Sequence, residues 1–235
     1  MKKIGVLLSC LMMVCGTANA ALIKSYDFNG GYSDTLGNGV DLVASGGSIL
    51  SGEYNFTNNQ GLELTSALAN TSDYAIEMSL RVTDSLSGYN KLIDFMGLGS
   101  DNGMYLLNGA FNFYVSGSHS LGGPVILNEY FNLAFVRSAG IITTFFDGVA
   151  LTPFTDSSNQ AVSLSNTLNF FEDDLATSQN ESFAGVVDFI RIHDDASSFG
   201  NQPTVPNPTA NVPEPSTLAI FALGIMGLAS RRFKK

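Results

Sequence analysis

Residues 74–82 read YAIEMSLRV, an alternation that sets Tyr74, Ile76, Met78, Leu80 and Val82 on one side and Glu77, Ser79 and Arg81 on the other. A period of two belongs to a strand with one face on a core, because successive strand side chains point to opposite faces. The same reading places Phe111, Phe113 and Val115 of AFNFYV on one face, and Phe131, Leu133 and Phe135 of FNLAFV on another. IITTFFDGVAL is a predicted hairpin, in which Asp147-Gly148 supplies the positive-φ pair of a tight turn. Glycine punctuates the runs, as in GLGSDNG and SGSHSLGG, and no stretch carries sustained helical periodicity with caps. Many short strands separated by turn signals predict an all-β chain, an antiparallel jelly-roll β-sandwich. There is no internal repeat of propeller or solenoid length.

The two ends read differently from this body. Residues 1–20 begin with Lys2 and Lys3, continue through an apolar run from Ile4 and end in Ala18-Asn19-Ala20, the small-x-small pattern of a secretory signal peptide cut after Ala20. Both cysteines, Cys10 and Cys15, fall inside it, so cleavage there leaves no disulfide, thiolate metal site or cysteine nucleophile. At the other end, five of the seven prolines lie from Pro203 to Pro215, and residues 201–212 read as an extended spacer. The twelve residues Leu218 to Ala229 are mostly apolar, short of the roughly 20 a permanent span needs. Arg231, Arg232, Lys234 and Lys235 follow and would stay cytoplasmic, which suits a transient stop-transfer segment at the inner membrane. The expected organisation is therefore signal peptide 1–20, sandwich 21–200, spacer 201–212 and a sorting segment 213–235.

Charge narrows the function classes. Six of the 11 basic residues lie at the two ends, leaving five against 20 acidic residues between positions 21 and 212, a formal net charge of −15. Such a body repels phosphate backbones, which excludes nucleic acid as a partner.

Pro213-Glu214-Pro215, the apolar run and the basic end, in that order, resemble the PEP-CTERM sorting signal of Gram-negative bacteria. The resemblance implies an exosortase as processing partner and delivery to the cell surface or an extracellular polysaccharide matrix. The body has a second resemblance. YDFNGGYSDTLGNG, GLELTS, YAIEMSLRV, YFNLAFVRSAGIITTFFDGVAL and FAGVVDFIRIHDDA, in this order from Tyr26 to Ala196, are similar to a laminin G-like, concanavalin A-like domain. Family members carry Trp where Tyr130 or Phe131 stands, and the retained aromatic keeps the core role. The resemblance implies carbohydrate binding and calcium held between the first and last strands, at positions matched by Asp27 and Asp188. Asp101 and Asn102 of GSDNG and the pair Asp173-Asp174 are competing oxygen-ligand sites.

Catalytic signatures are missing. No Glu-x-Asp-x-Glu strand sets two carboxylates on one face, and Glu172, Asp173 and Asp174 of FEDDL, adjacent and so divergent, read as solvated loop charge. His119, in a Gly/Ser loop, and His193, read as a sheet-edge side chain, lack a Gly-x-Ser-x-Gly partner. Tyr89, Tyr105 and Tyr114 are the candidate sugar platforms, though each also suits a half-buried strand position. The sequence thus points to a non-enzymatic exported protein binding extracellular polysaccharide. A self-associating matrix component and a divergent glycan-degrading enzyme are the alternatives.

Overall fold

A computed structural model describes residues 21–194 other than Ala176. The chain divides into two units, Met1–Gln202 and Pro203–Lys235, and the described residues belong to the first. The spacer, the sorting segment and the signal peptide lie outside them. Among the described residues no helix is long and apolar enough to cross a membrane.

Sixteen strands form two antiparallel sheets. The first half of the chain contributes β1 (Leu22–Tyr26), β2 (Val43–Ala44), β3 (Ser48–Leu50), β4 (Glu53–Phe56), β5 (Leu62–Thr65), β6 (Tyr74–Val82), β7 (Tyr89–Asp94) and β8 (Gly103–Leu107). The second half contributes β9 (Ala110–Tyr114), β10 (Ser118–Pro124), β11 (Phe131–Ser138), β12 (Ile141–Phe146), β13 (Val149–Ala150), β14 (Phe154–Thr155), β15 (Thr167–Phe170) and β16 (Gly185–His193). The nine-stranded sheet runs β13-β12-β11-β6-β16-β4-β3, with β14 on β12 and with β1 beside the end of β16 that β4 leaves uncovered. The seven-stranded sheet runs β10-β9-β8-β7-β15-β5-β2. The chain passes between sheets after β1, β2, β4, β5, β6, β10, β14 and β15, which makes the sandwich an antiparallel jelly roll.

The alternation seen in the sequence decides which side of each strand meets the core. Tyr74, Ile76, Met78, Leu80 and Val82 of β6 are all buried in one cluster with Phe111 and Phe113 of β9 and Phe131, Leu133 and Phe135 of β11. With no Trp in the chain, phenylalanine and tyrosine fill the space between the sheets. Phe135 lies 5.1 Å from Phe95, 6.1 Å from Phe113 and 6.2 Å from Tyr74, ring centre to ring centre. Phe131 is the buried member of the Tyr130-Phe131 pair, against Phe111 at 5.8 Å, whereas Tyr130 is exposed and carries the Arg81 guanidinium 5.2 Å over its ring. The hairpin turn is where the sequence puts it: Asp147 at φ 47° and Gly148 at φ 78° join β12 to β13. Both angles suit the right-handed twist of the flanking strands.

One end of the sandwich is closed by a buried ion pair. Arg137 Nε of β11 lies 3.1 Å from Asp156 Oδ2, and Arg137 also donates to Asn159 Oδ1 at 2.8 Å and to the Ser72 carbonyl. Asp156 in turn accepts from the backbone N–H groups of Gln160 and Ala161. Tyr74 donates to the Ala161 carbonyl at 2.6 Å, so two adjacent strands of the nine-stranded sheet, β6 and β11, hold the loop after β14.

Two expectations for histidine are corrected here. His193 closes β16, an interior strand paired with β6 and β1, and its Nε2 is 3.2 Å from Glu77 Oε2. His119 belongs to β10 and packs on Phe154 at 4.6 Å.

Phe135→Ala should lower stability by about 3–5 kcal/mol, because removing a ring from a filled interior leaves a cavity beside three other rings. Thermal or urea melts of residues 21–200 check this, and a loss near zero would show the core to be loosely packed.

Candidate functional site

The outer face of the seven-stranded sheet gathers most of the chemistry. On β8 the residues Met104 and Leu106 face the core, so Gly103, Tyr105 and Leu107 face outward. On β9, Phe111 and Phe113 face inward, leaving Asn112 and Tyr114 outward. Leu92 does the same for β7, which turns Tyr89 and Lys91 outward. Cross-strand pairing aligns Lys91 with Tyr105 and Tyr105 with Asn112.

Lys91 is fully buried even though it points away from the core. The segment between β15 and β16 folds over it: Phe171 N–H donates to the Leu92 carbonyl, and Lys91 N–H donates to the Glu181 carbonyl. Lys91 Nζ reaches Asp174 Oδ2 at 2.5 Å, Asp94 Oδ2 at 3.2 Å and Asp173 Oδ1 at 3.8 Å, and lies 5.2 Å from the Tyr105 ring centre. Asp173 and Asp174 are therefore not solvated loop charge, as their sequence context suggests, but fully buried partners of one ammonium. Gly103 is required beneath them, since a Cβ there would lie 2.6 Å from the Ile93 carbonyl oxygen and 3.3 Å from Lys91 Cε.

Beside this anchored loop, Tyr89, Tyr105 and Tyr114 meet edge to face. Ring centres are 5.6 Å apart for Tyr89 and Tyr105, 5.9 Å for Tyr89 and Tyr114, and 6.3 Å for Tyr105 and Tyr114. Tyr105 is buried and the other two are half-buried. The Tyr105 hydroxyl donates to the Asp101 carbonyl at 2.9 Å and lies 3.2 Å from Asp101 Oδ1. Burial first, and then Asp101, hold that hydroxyl far above its ordinary range, so it remains a donor. Asp101 is also the first cause of the rise at Tyr114.

The third component is a pair of carboxyl groups. Burial, Asp101 and then Asp173 push the Glu181 pKa up to about 7, against a smaller opposing pull from Lys91. Asn112, nearly fully buried on the same face as Tyr105 and Tyr114, donates to Ser118 Oγ at 2.7 Å. The arrangement sets ring faces and carboxyl oxygens along one face of the sheet.

The expected calcium residues lie elsewhere. Asp27 follows β1 and accepts from Asn29 N–H, and Asp188 occupies a register shift in β16. Burial, then Glu53, and also Asp27 raise the Asp188 carboxyl, against a pull from Arg191. Among the described residues, no group of three or more His, Cys, Asp or Glu side chains is arranged to hold a metal ion. Asn102 of the competing GSDNG loop is tied to Gln160 Oε1 at 2.6 Å.

A cleft of about 530 Å³ opens away from the tyrosines, lined by Gly47, Asn55, Gln60, Arg81, Thr83 and Gly185 among others. Its one aromatic is the buried Phe56, so it presents no ring face for stacking.

This geometry defines the described chain as an antiparallel jelly-roll β-sandwich, and solved structures agree on the fold. Domain 4 of AbnA, a GH43 extracellular arabinanase from Geobacillus stearothermophilus in complex with arabinotriose, is similar at a TM-score of 0.62 and 16% identity, over 78% of this chain and 98% of that one. A Trypanosoma rangeli sialidase is similar at 0.60 and 11%, over 81% of this chain and 33% of the sialidase. The botulinum neurotoxin serotype D binding domain is similar at 0.57 and 12%, over 74% and 48%. Residues 211–235 match the PEP-CTERM protein-sorting motif, which marks the chain as exported to the surface or beyond and supports an exosortase as its processing partner. No curated protein matches the chain in sequence.

The raised Glu181 carboxyl gives stability that is fully present below its unfolded pKa of 4.5 and is lost as pH rises through about 7. Glu181→Gln should therefore leave stability unchanged near pH 4 and raise it by about 1 kcal/mol near pH 8, a figure reduced for solvent screening. Melts of both proteins across that range check this; a constant difference would show that Glu181 does not titrate against its neighbours.

Proposed function

We propose that the protein is an exported surface or extracellular-matrix component that binds extracellular polysaccharide on the outer face of its seven-stranded sheet. The observation that carries this reading is the meeting of Tyr89, Tyr105 and Tyr114, from three adjacent strands, beside Asp101 and Glu181. Sugar rings present C–H faces that stack on aromatic rings and hydroxyls that bond to carboxyl and amide oxygens at the rim. The likeness of the fold to an arabinanase domain in complex with arabinotriose supports the same reading, as does a sorting motif that delivers the chain outside the cell.

A non-enzymatic role is part of this reading, because the sequence carries neither a Glu-x-Asp-x-Glu strand nor a Gly-x-Ser-x-Gly elbow. Self-association through sheet edges has less support. β10 carries Gly122, Gly123 and two register shifts, and β2 and β13 are two residues long, features that blunt edges against pairing.

In gels containing polysaccharide, the mature domain should be retarded by at least one polymer. Tyr89→Ala and Tyr114→Ala should each weaken that retardation about tenfold, equivalent to about 1.4 kcal/mol. Because both rings are half-buried, melting temperatures should stay close to the parent's. Retardation unchanged in both variants would remove the tyrosine face as the site.

The sorting reading has its own test. Replacing Pro213, Glu214 and Pro215 with Ala should leave unprocessed precursor at the inner membrane, because apolar length and terminal charge remain intact. Unchanged fractionation and mass would point to a simple tail anchor.

A further inference from the structure

We infer that the polysaccharide recognised at the tyrosine face is a neutral one, without carboxylate, sulfate or phosphate substituents. This deepens the glycan-binding reading and rests on it. Three independent observations select the ligand class.

The first is the charge at the site. Asp101 and Glu181 line the rim, and the nearby cation, Lys91, is enclosed by Asp94, Asp173 and Asp174 with no exposed surface. An acidic sugar arriving here meets carboxyl groups and finds no free ammonium or guanidinium. Recognition of carboxylate or sulfate depends on such donors, above all arginine.

The second is the charge of the whole described surface. None of the five cations of the body is fully exposed. Lys24, Lys91 and Arg137 are buried. Arg81 is half-buried over Tyr130, and Arg191 is half-buried 4.0 Å from the Phe189 ring centre, beside Glu77. Meanwhile Asp41, Glu63, Asp84, Glu129 and Asp147 are exposed. The long-range field is thus negative with no positive patch to steer a polyanion in.

The third is the hydrogen-bonding inventory. The Tyr105 hydroxyl donates to the Asp101 carbonyl and the Asn112 amide to Ser118 Oγ, so both of these donors are engaged within the protein. The carboxyls of Asp101 and Glu181 remain as acceptors, and carboxyl acceptors beside ring faces match a sugar whose polar groups are all hydroxyls.

The test compares polymers that differ only in charge. Neutral polysaccharides, an arabinan, a β-glucan and a galactomannan, are set in native gels at about 0.15 M ionic strength, where exposed charges act over roughly 8 Å. Each is paired with its carboxymethyl derivative and with its hydroxyethyl derivative, which adds similar bulk without charge; alginate completes the set. The expected result is retardation by at least one neutral polymer, retention of that effect on hydroxyethylation, and a loss of at least tenfold on carboxymethylation. Equal or stronger retardation by the carboxymethyl form, or retardation by alginate alone, would overturn the neutral-ligand inference while leaving glycan binding standing. Equal losses on hydroxyethylation and carboxymethylation would also overturn it, since bulk rather than charge would be excluded. Absence of retardation by every polymer would overturn the glycan-binding reading itself.

Discussion

One ammonium group, Lys91 Nζ, holds the outer face of the seven-stranded sheet together. Three aspartates converge on it, and each has further donors that make its burial tolerable. Asp94 Oδ1 accepts from the Met96 and Leu98 N–H groups, Asp173 Oδ2 from Glu181 N–H and Thr177 Oγ1, and Asp174 Oδ1 from Thr177 N–H. Removing a charge from water costs several kcal/mol, and attraction recovers it only where geometry and additional hydrogen bonds are good. The consequence is specificity of placement. A loop carrying two adjacent carboxylates has one location on this sheet where both are satisfied, and that location lies beside the tyrosines.

The same economy of cations runs through the whole body. Five basic residues serve 20 acidic ones between positions 21 and 212, and none of the five is left exposed. Lys91 and Arg137 each fasten a loop, one between β15 and β16 and one after β14. Because the bases are used internally, the surface is left with its acids. That keeps an exported protein soluble and apart from other polyanions, at the cost of self-repulsion in the folded state.

The sheets were legible in the sequence because strand alternation is local information. YAIEMSLRV needs only its own residues to declare a face, and Asp147-Gly148 needs only its neighbours to declare a turn. The face at Tyr89, Tyr105 and Tyr114 was half legible. Each tyrosine could be named as a platform, but only the pairing of β7 with β8 and of β8 with β9 brings them into contact. Asp173 and Asp174 were misread because burial of a charge is decided by its partner, and Lys91 lies more than eighty residues away in the chain. Glu181 had no sequence signal, since its importance comes from Asp101 across a loop. His193 was misplaced for a related reason: its end of β16 is interior because β1, from the far end of the body, pairs along it.

The tyrosine face is therefore built in two parts of different origin. The meander β7-β8-β9 supplies all three tyrosines and Asp101 from one short stretch of chain, joined by neighbouring hairpins. Glu181 arrives from the remote loop, and its backbone is fixed at both polar groups, N–H to Asp173 and carbonyl to Lys91 N–H. Asp173 in turn is held where it is by the Lys91 ammonium. The carboxyl pair at the rim thus depends on a buried ion cluster. On the proposed glycan-binding reading, the rings would supply a stacking surface that favours sugars in general. The anchored loop would add the acidic oxygens that discriminate among them, so that affinity and selectivity would come from separate segments of the chain.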